Sequence, residues 1–170
     1  MKHVVGYRKC DEMAKEEKTN VMRVLTQKKV EYIGHTYEAD ASLSGAEIAA
    51  KMGEVPEAVF KTLVTQGKSR AYYVFVVPVE KELDLKKAAK AVGEKSIEML
   101  PQKELLPLTG YVHGGCSPIG MKKFFTTTFD ESLNSLERVY FSGGKVGFQV
   151  EVAVQDISKV IRYTTADVTV

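Results

Sequence analysis

Two stretches of this chain are built to fold back on themselves. "TLVTQGKSRAYYVFVVPV" (62–79) and "RVYFSGGKVGFQVEVAV" (138–154) each place two β-rich arms around a short turn, "QGKSR" in the first and "SGGK" in the second. Arms joined that tightly pair antiparallel, because a parallel pair needs a crossover of roughly a dozen residues or more. Tyr72 to Val77 is almost continuously apolar, which predicts a strand buried on both faces. In the second hairpin Phe148, Val150 and Val152 alternate with Gln149 and Glu151.

The remaining segments are short. "TNVMRVLTQKKV" carries Val21, Val24 and Leu25 at helical spacing, with Thr19 or Asn20 as cap. "EYIGHTYEA" reads as a strand. "SGAE" at 44–47 is a capping box that opens a helix ending at Gly53, and Pro56 starts a further turn. "DLKKAAKAVG" predicts a helix between Asp84 and Gly93. "SIEML" fits a short strand, and "PQKELLP" a helical turn bracketed by two prolines. "KKFFTTTFD" is β-like, "DESLNSLE" a helical or turn segment, and "DISKVIR" a closing helix. No βαβ rhythm runs through this order, so the expected fold is α+β with a mixed, mostly antiparallel sheet. Residues 1–17 are polar and aperiodic and are taken as an N-terminal extension, with one domain over 18–170.

A chain of 170 residues, 44% hydrophobic and 27% charged, can bury one real core. It holds no apolar run of membrane-spanning length, and its charged start is unlike a secretion signal. Cys10 and Cys116 make no disulfide framework, so a reduced, cytoplasmic setting is expected. The net charge of +2 comes from scattered lysines and arginines, which do not by themselves point to nucleic acid.

Chemistry narrows to two places. His3, His35 and His113 lack the cysteine or histidine partners of a zinc site, and "SGGKVG" sits in a hairpin rather than a phosphate loop, so no metal or cofactor is expected. The first place is "GYVHGGCSPIG" (110–120), where four glycines bring backbone close to something. Cys116, three residues after His113, reads either as a thiol nucleophile or as a small apolar core residue. The second is Lys61 in "VFKTLV", either a snorkelling edge lysine or a cation aimed into a partly dry pocket.

Taken in order, "TYE" (36–38), "VFKTLV" (59–64), "PVEKELDLKKAAKAVG" (78–93), "TGYVHGGCSPIGMKK" (109–123) and "VYFSGGKVG" (139–147) carry a resemblance over Thr19 to Asp167. The chain resembles the YbaK family, bacterial Cys-tRNA(Pro) deacylases similar to the editing domain inserted in bacterial prolyl-tRNA synthetases. The resemblance implies a mixed, partly barrel-like sheet flanked by helices. It also implies metal-free hydrolysis of the ester joining a mischarged amino acid to tRNA. Its essential lysine falls on Lys61, its glycine-pair backbone on Gly114 and Gly115, and its substrate contacts on Tyr37, Thr62, Ser117 and Ser142. On that pattern Cys116 is packing, and the thiol of the bound cysteine attacks its own ester. Val146 stands where a basic residue is frequent. Gln149 stands where an acid is frequent, and there offers a neutral acceptor. The implied partners are the acceptor end of aminoacyl-tRNA and prolyl-tRNA synthetase. A different outcome for the same fold is a module that binds an aminoacyl group, nucleotide or protein without turnover.

Overall fold

The computed structural model describes residues 18–38 and 42–170; the extension expected over 1–17 lies outside them. The first helix, α1 (Asn20–Gln27), starts at Thr19, whose hydroxyl accepts from the Met22 amide at 3.2 Å. It lays Val21, Met22 and Leu25 on the core. Strand β1 (Tyr32–Thr36) follows, then α2 (Gly45–Met52), with the full capping box between Ser44 and Glu47 and Gly53 in the left-handed conformation. A 3-10 turn at Pro56–Ala58 leads into the first hairpin, β2 (Phe60–Gly67) and β3 (Tyr72–Pro78). Helix α3 (Leu85–Val92) runs from Asp84 to Gly93 as the caps predict. Then come β4 (Ile97–Met99), α4 (Gln102–Thr109), the glycine-rich loop, β5 (Thr126–Asp130), and the second hairpin, β6 (Arg138–Ser142) and β7 (Phe148–Ala153).

The strands form two sheets. One has three antiparallel strands in the order β1-β7-β6. The other has five, β4-β2-β3-β5 and a last strand, β8 (Thr164–Ala166). β2 pairs antiparallel with β3 and β4, whereas β5 runs parallel to both β3 and β8. A parallel bridge from Val59 to Tyr140 joins the sheets beside the start of β2, and they do not close into a barrel. The α+β, mostly antiparallel expectation holds. So does the double burial of β3: Val74 and Val76 enter the main core with Phe60, Phe129 and Phe141, while Phe75 and Val77 pack with Ala88 on the other face.

Two expectations are corrected, and one burial is unforeseen. The turn bracketed by Pro101 and Pro107 is a helix that continues through Pro107. Proline removes one hydrogen bond, and the last turn is closed by the Gly110 amide donating to Leu106 and the Thr109 hydroxyl to Leu105. "DISKVIR" forms only a 3-10 turn within Val154–Lys159. The chain then extends into β8, anchored where the buried Asp130 carboxylate accepts from the Val168 amide at 3.3 Å. Finally, an alternating strand ordinarily leaves its polar face in water, yet Gln149 and Glu151 are both buried on β7.

Candidate active site

Register explains what covers that face. In the three-stranded sheet His35 stands opposite Gln149 and Gln149 opposite Ser142; one row away Ile33, Glu151 and Tyr140 align. These residues share the side away from Val150 and Val152. The end of this face, the start of β2 and the N-terminal turn of α2 enclose a cleft of about 340 Å³. Val59, Phe60, Leu63, Val79 and Leu105 make most of its wall apolar.

Lys61 points a cation into this setting. It is the second residue of β2, and its side chain is 29% exposed. Its ammonium lies 3.9 Å from the Glu82 carboxylate, which is itself 84% exposed. A solvent-screened contact at that distance is worth about 1 kcal/mol or less, so it does not hold Lys61 back from a ligand. Beside it, the Thr62 hydroxyl is buried with no hydrogen-bond partner. Across the cleft Gln149 is only 5% exposed, and its Oε1 also lacks a partner. Ser142 closes β6, its hydroxyl accepting from the Gly144 amide at 3.1 Å, and Tyr37 is pinned by its amide to the Gly147 carbonyl at 2.9 Å.

Of the residues singled out from sequence, Tyr37, Lys61, Thr62, Gly114, Ser142 and Gln149 line one cleft. Gly115 and Ser117 are not among its lining residues. Gly115 answers to another constraint: a Cβ there would stand 3.0 Å from the Val146 amide nitrogen and 3.2 Å from the Lys145 backbone. Its own amide donates to the Val112 carbonyl. The glycine thus lets the 110–120 loop lie flat on the β6–β7 turn, which holds Gly114 (φ +86) at the cleft. Gly115→Ala should lower stability by about 1–3 kcal/mol, since backbone cannot yield as a side chain does; thermal unfolding with parallel kinetics checks this. Ser117 is fully buried and its hydroxyl accepts from the Ile119 amide, a loop-closing role.

Cys116 and His113 also line the cleft, yet no hydrogen bond joins them among the described residues. Cys116 is 7% exposed, and burial pushes its thiol up to about 12, so at neutral pH it carries almost no thiolate. The N-terminal turn of α2 was not foreseen as part of the wall. Ser44, Gly45 and Ile48 line it because Gly45 has no side chain: a Cβ would meet Val79 at 2.7 Å. The capping box marked a helix start, and nothing in its letters marked a wall.

Behind Gln149 lies an ion-pair cluster. Glu151, 2% exposed, accepts from Arg138 Nε at 2.5 Å and pairs with His35 Nε2 at 3.0 Å. Burial alone would raise its pKa, but the hydrogen bonds and charges of His35 and Arg138 outweigh that and hold it down to about 2. One carboxylate on β7 therefore clamps β1 and β6, the strands that deliver Tyr37 and Ser142 to the cleft.

Comparison with known proteins fixes the class. The chain belongs to the aminoacyl-tRNA editing domain family, which it matches over residues 40–160. It is 42% identical over 155 residues to EbsC of Enterococcus faecalis (strain ATCC 700802 / V583), a candidate Cys-tRNA(Pro)/Cys-tRNA(Cys) deacylase, covering 91% of this chain and 94% of that protein. Among solved structures, a hypothetical protein superposes with a TM-score of 0.80 at 22% identity, over 89% of this chain and 99% of that one. A candidate trans-editing enzyme for prolyl-tRNA synthetase superposes at 0.74 with 23% identity, over 89% and 95%; at these identities both bear on fold alone. The resemblance read from the motifs is borne out, and the chain is a hydrolytic editing enzyme. No helix among the described residues is long and apolar enough to cross a membrane.

Proposed function

We propose that this protein hydrolyses the ester of mischarged tRNA in trans, with Cys-tRNA(Pro) as its first-choice substrate and Ala- or Ser-tRNA as the nearest variants. The observation that carries the reading is the pairing of a weakly engaged Lys61 ammonium with two unpartnered polar groups, on Thr62 and Gln149, in an apolar cleft. The identity to EbsC supports the choice of aminoacyl group.

In this reading Lys61 and the Gly114 backbone face the ester carbonyl and favour the negative charge that gathers on its oxygen. The thiol of the bound cysteine attacks its own carbonyl carbon. The acyl–oxygen bond breaks, the terminal ribose hydroxyl leaves with the thiol proton, and water then opens the thiolactone to cysteine. Holding one molecule in the reactive conformation supplies most of the acceleration such a step needs. The acceptor end of the tRNA brings its terminal ester to the cleft, and prolyl-tRNA synthetase is the proposed source of tRNA selectivity. The deacylase domain is taken as 18–170.

The test follows ester loss from tRNA(Pro) carrying Cys, Ala or Pro and from Cys-tRNA(Cys). Hydrolysis of Cys-tRNA(Pro) well above the Pro ester is the expected result. Tight binding with no hydrolysis of any ester would instead make the chain a binding module. Cys116→Ala should change kcat/KM by less than about threefold, because a thiol titrating near 12 is not a nucleophile at neutral pH. Loss of activity in that variant at unchanged thermal stability would make Cys116 the attacking group.

A further inference from the structure

We propose, resting on the deacylase reading above, that the site recognises the α-substituent of its substrate as a hydrogen-bond donor and not as a cation, and therefore hydrolyses α-hydroxyacyl esters of tRNA as well as aminoacyl esters. The juxtaposition behind this is Gln149, whose buried Oε1 has no hydrogen-bond partner and which lines a cleft whose described lining holds Lys61 but no aspartate or glutamate.

An acceptor buried without a partner costs roughly 1–3 kcal/mol, which a ligand recovers by bringing a donor. With the ester carbonyl toward Lys61 and Gly114, the nearest donor on the acyl group is the substituent of the adjacent α-carbon. An ammonium and a hydroxyl can both donate to an amide oxygen, and a neutral amide draws little distinction of charge between them. A carboxylate would strongly prefer the ammonium. Glu151 lies two residues on along the same face of β7, but its two oxygens are taken by His35 and Arg138. Lys61, the charged residue of the described lining, is positive, and its field disfavours a second cation. A hydroxyl keeps the hydrogen bond to Gln149 and escapes that repulsion.

The chemistry is otherwise unchanged. In a 2-hydroxy-3-mercaptopropanoyl ester the thiol attacks the carbonyl carbon, the bond to the ribose oxygen breaks, and the thiol proton ends on the ribose hydroxyl. Water then opens the thiolactone to the hydroxy acid, which releases a proton as it ionises. No oxidant or reductant enters.

The experiment uses the full chain and tRNA(Pro) charged either with cysteine or with 2-hydroxy-3-mercaptopropanoate. Because an α-ammonium makes esters intrinsically more labile, each rate is divided by its own rate without protein. The two enhancements should agree within about threefold in the wild-type chain. Gln149→Glu should favour the cysteinyl ester by about tenfold or more, with thermal unfolding confirming that it folds. Asp40, which lies outside the described residues, supplies the control: Asp40→Asn should leave the ratio unchanged. Cleavage of the cysteinyl ester with the hydroxyacyl ester slower by about a hundredfold would overturn the inference and leave the deacylase reading intact. A tenfold fall of the ratio in Asp40→Asn, or no change of it in a folded Gln149→Glu, would also overturn it. Failure to cleave either ester would remove the deacylase reading itself, and the inference with it.

Discussion

On the proposed mechanism, hydrolysis of Cys-tRNA(Pro) should fall by about a hundred- to a thousandfold when Lys61 is replaced by alanine, and the variant should unfold at the wild-type temperature. The size follows from what such a group does: removing one fixed donor from a developing oxyanion costs about 2.7–4 kcal/mol of transition-state stabilisation. The unchanged stability follows from its surroundings. Among the described residues Lys61 has one screened ion pair, and its backbone position on β2 is held by the register with β3, which alanine preserves. The loss should fall mainly on kcat, since the interaction strengthens as charge builds on the carbonyl oxygen. Lys61→Gln, which keeps a donor without the charge, should retain part of the activity. Single-turnover deacylation of the two variants beside wild type decides it, and a Lys61→Ala rate within about threefold of wild type would remove Lys61 from the chemistry.

The sequence disclosed local structure well wherever a residue's own backbone chemistry decided the outcome. Ser44, Asp84, Gly53 and Gly93 mark the ends of α2 and α3 by capping alone. The continuous apolar run of β3 announced its double burial. What stayed hidden depends on partners distant in the chain. The letters of β7 alternate like a strand with one wet face, and only the arrival of His35 and Arg138 from β1 and β6 makes a buried Glu151 tolerable. The short β8 likewise exists because β5 offers it an edge and Asp130 ties it down. In the cleft, Lys61 stood out as a lone cation in an apolar run, and Gly114 was found through the motif. Gly115 was visible as a glycine that mattered, and the structure adds a reason that the letters do not show, the close approach of the neighbouring turn at 145–146. Gln149 was singled out through the motif, but its burial is something no local pattern shows.

The other large effect belongs to Glu151 and is a matter of pH. Its carboxyl titrates at about 2 in the folded protein against 4.5 as the ordinary value. A depressed acid stabilises the fold while the unfolded chain would be the one to take the proton. That contribution is therefore complete above pH 4.5, shrinks as pH falls, and is gone below about 2. The gap corresponds to roughly 3 kcal/mol, so wild type should be more stable than Glu151→Gln by about that amount at pH 7. For a domain of this size the difference should appear as a fall in Tm of about 6–12 °C. Other carboxylates also weaken the fold in acid, so the informative quantity is the stability of wild type minus that of the variant, followed from pH 7 to pH 2.5. It should stay flat down to about pH 5 and then decline, because protonation leaves wild type with the same neutral group that glutamine supplies. A difference that held constant across that range would mean that the carboxylate stabilises by shape and not by its charge. In that case His35 and Arg138 are not what keeps Tyr37, Ser142 and Gln149 in register around the cleft.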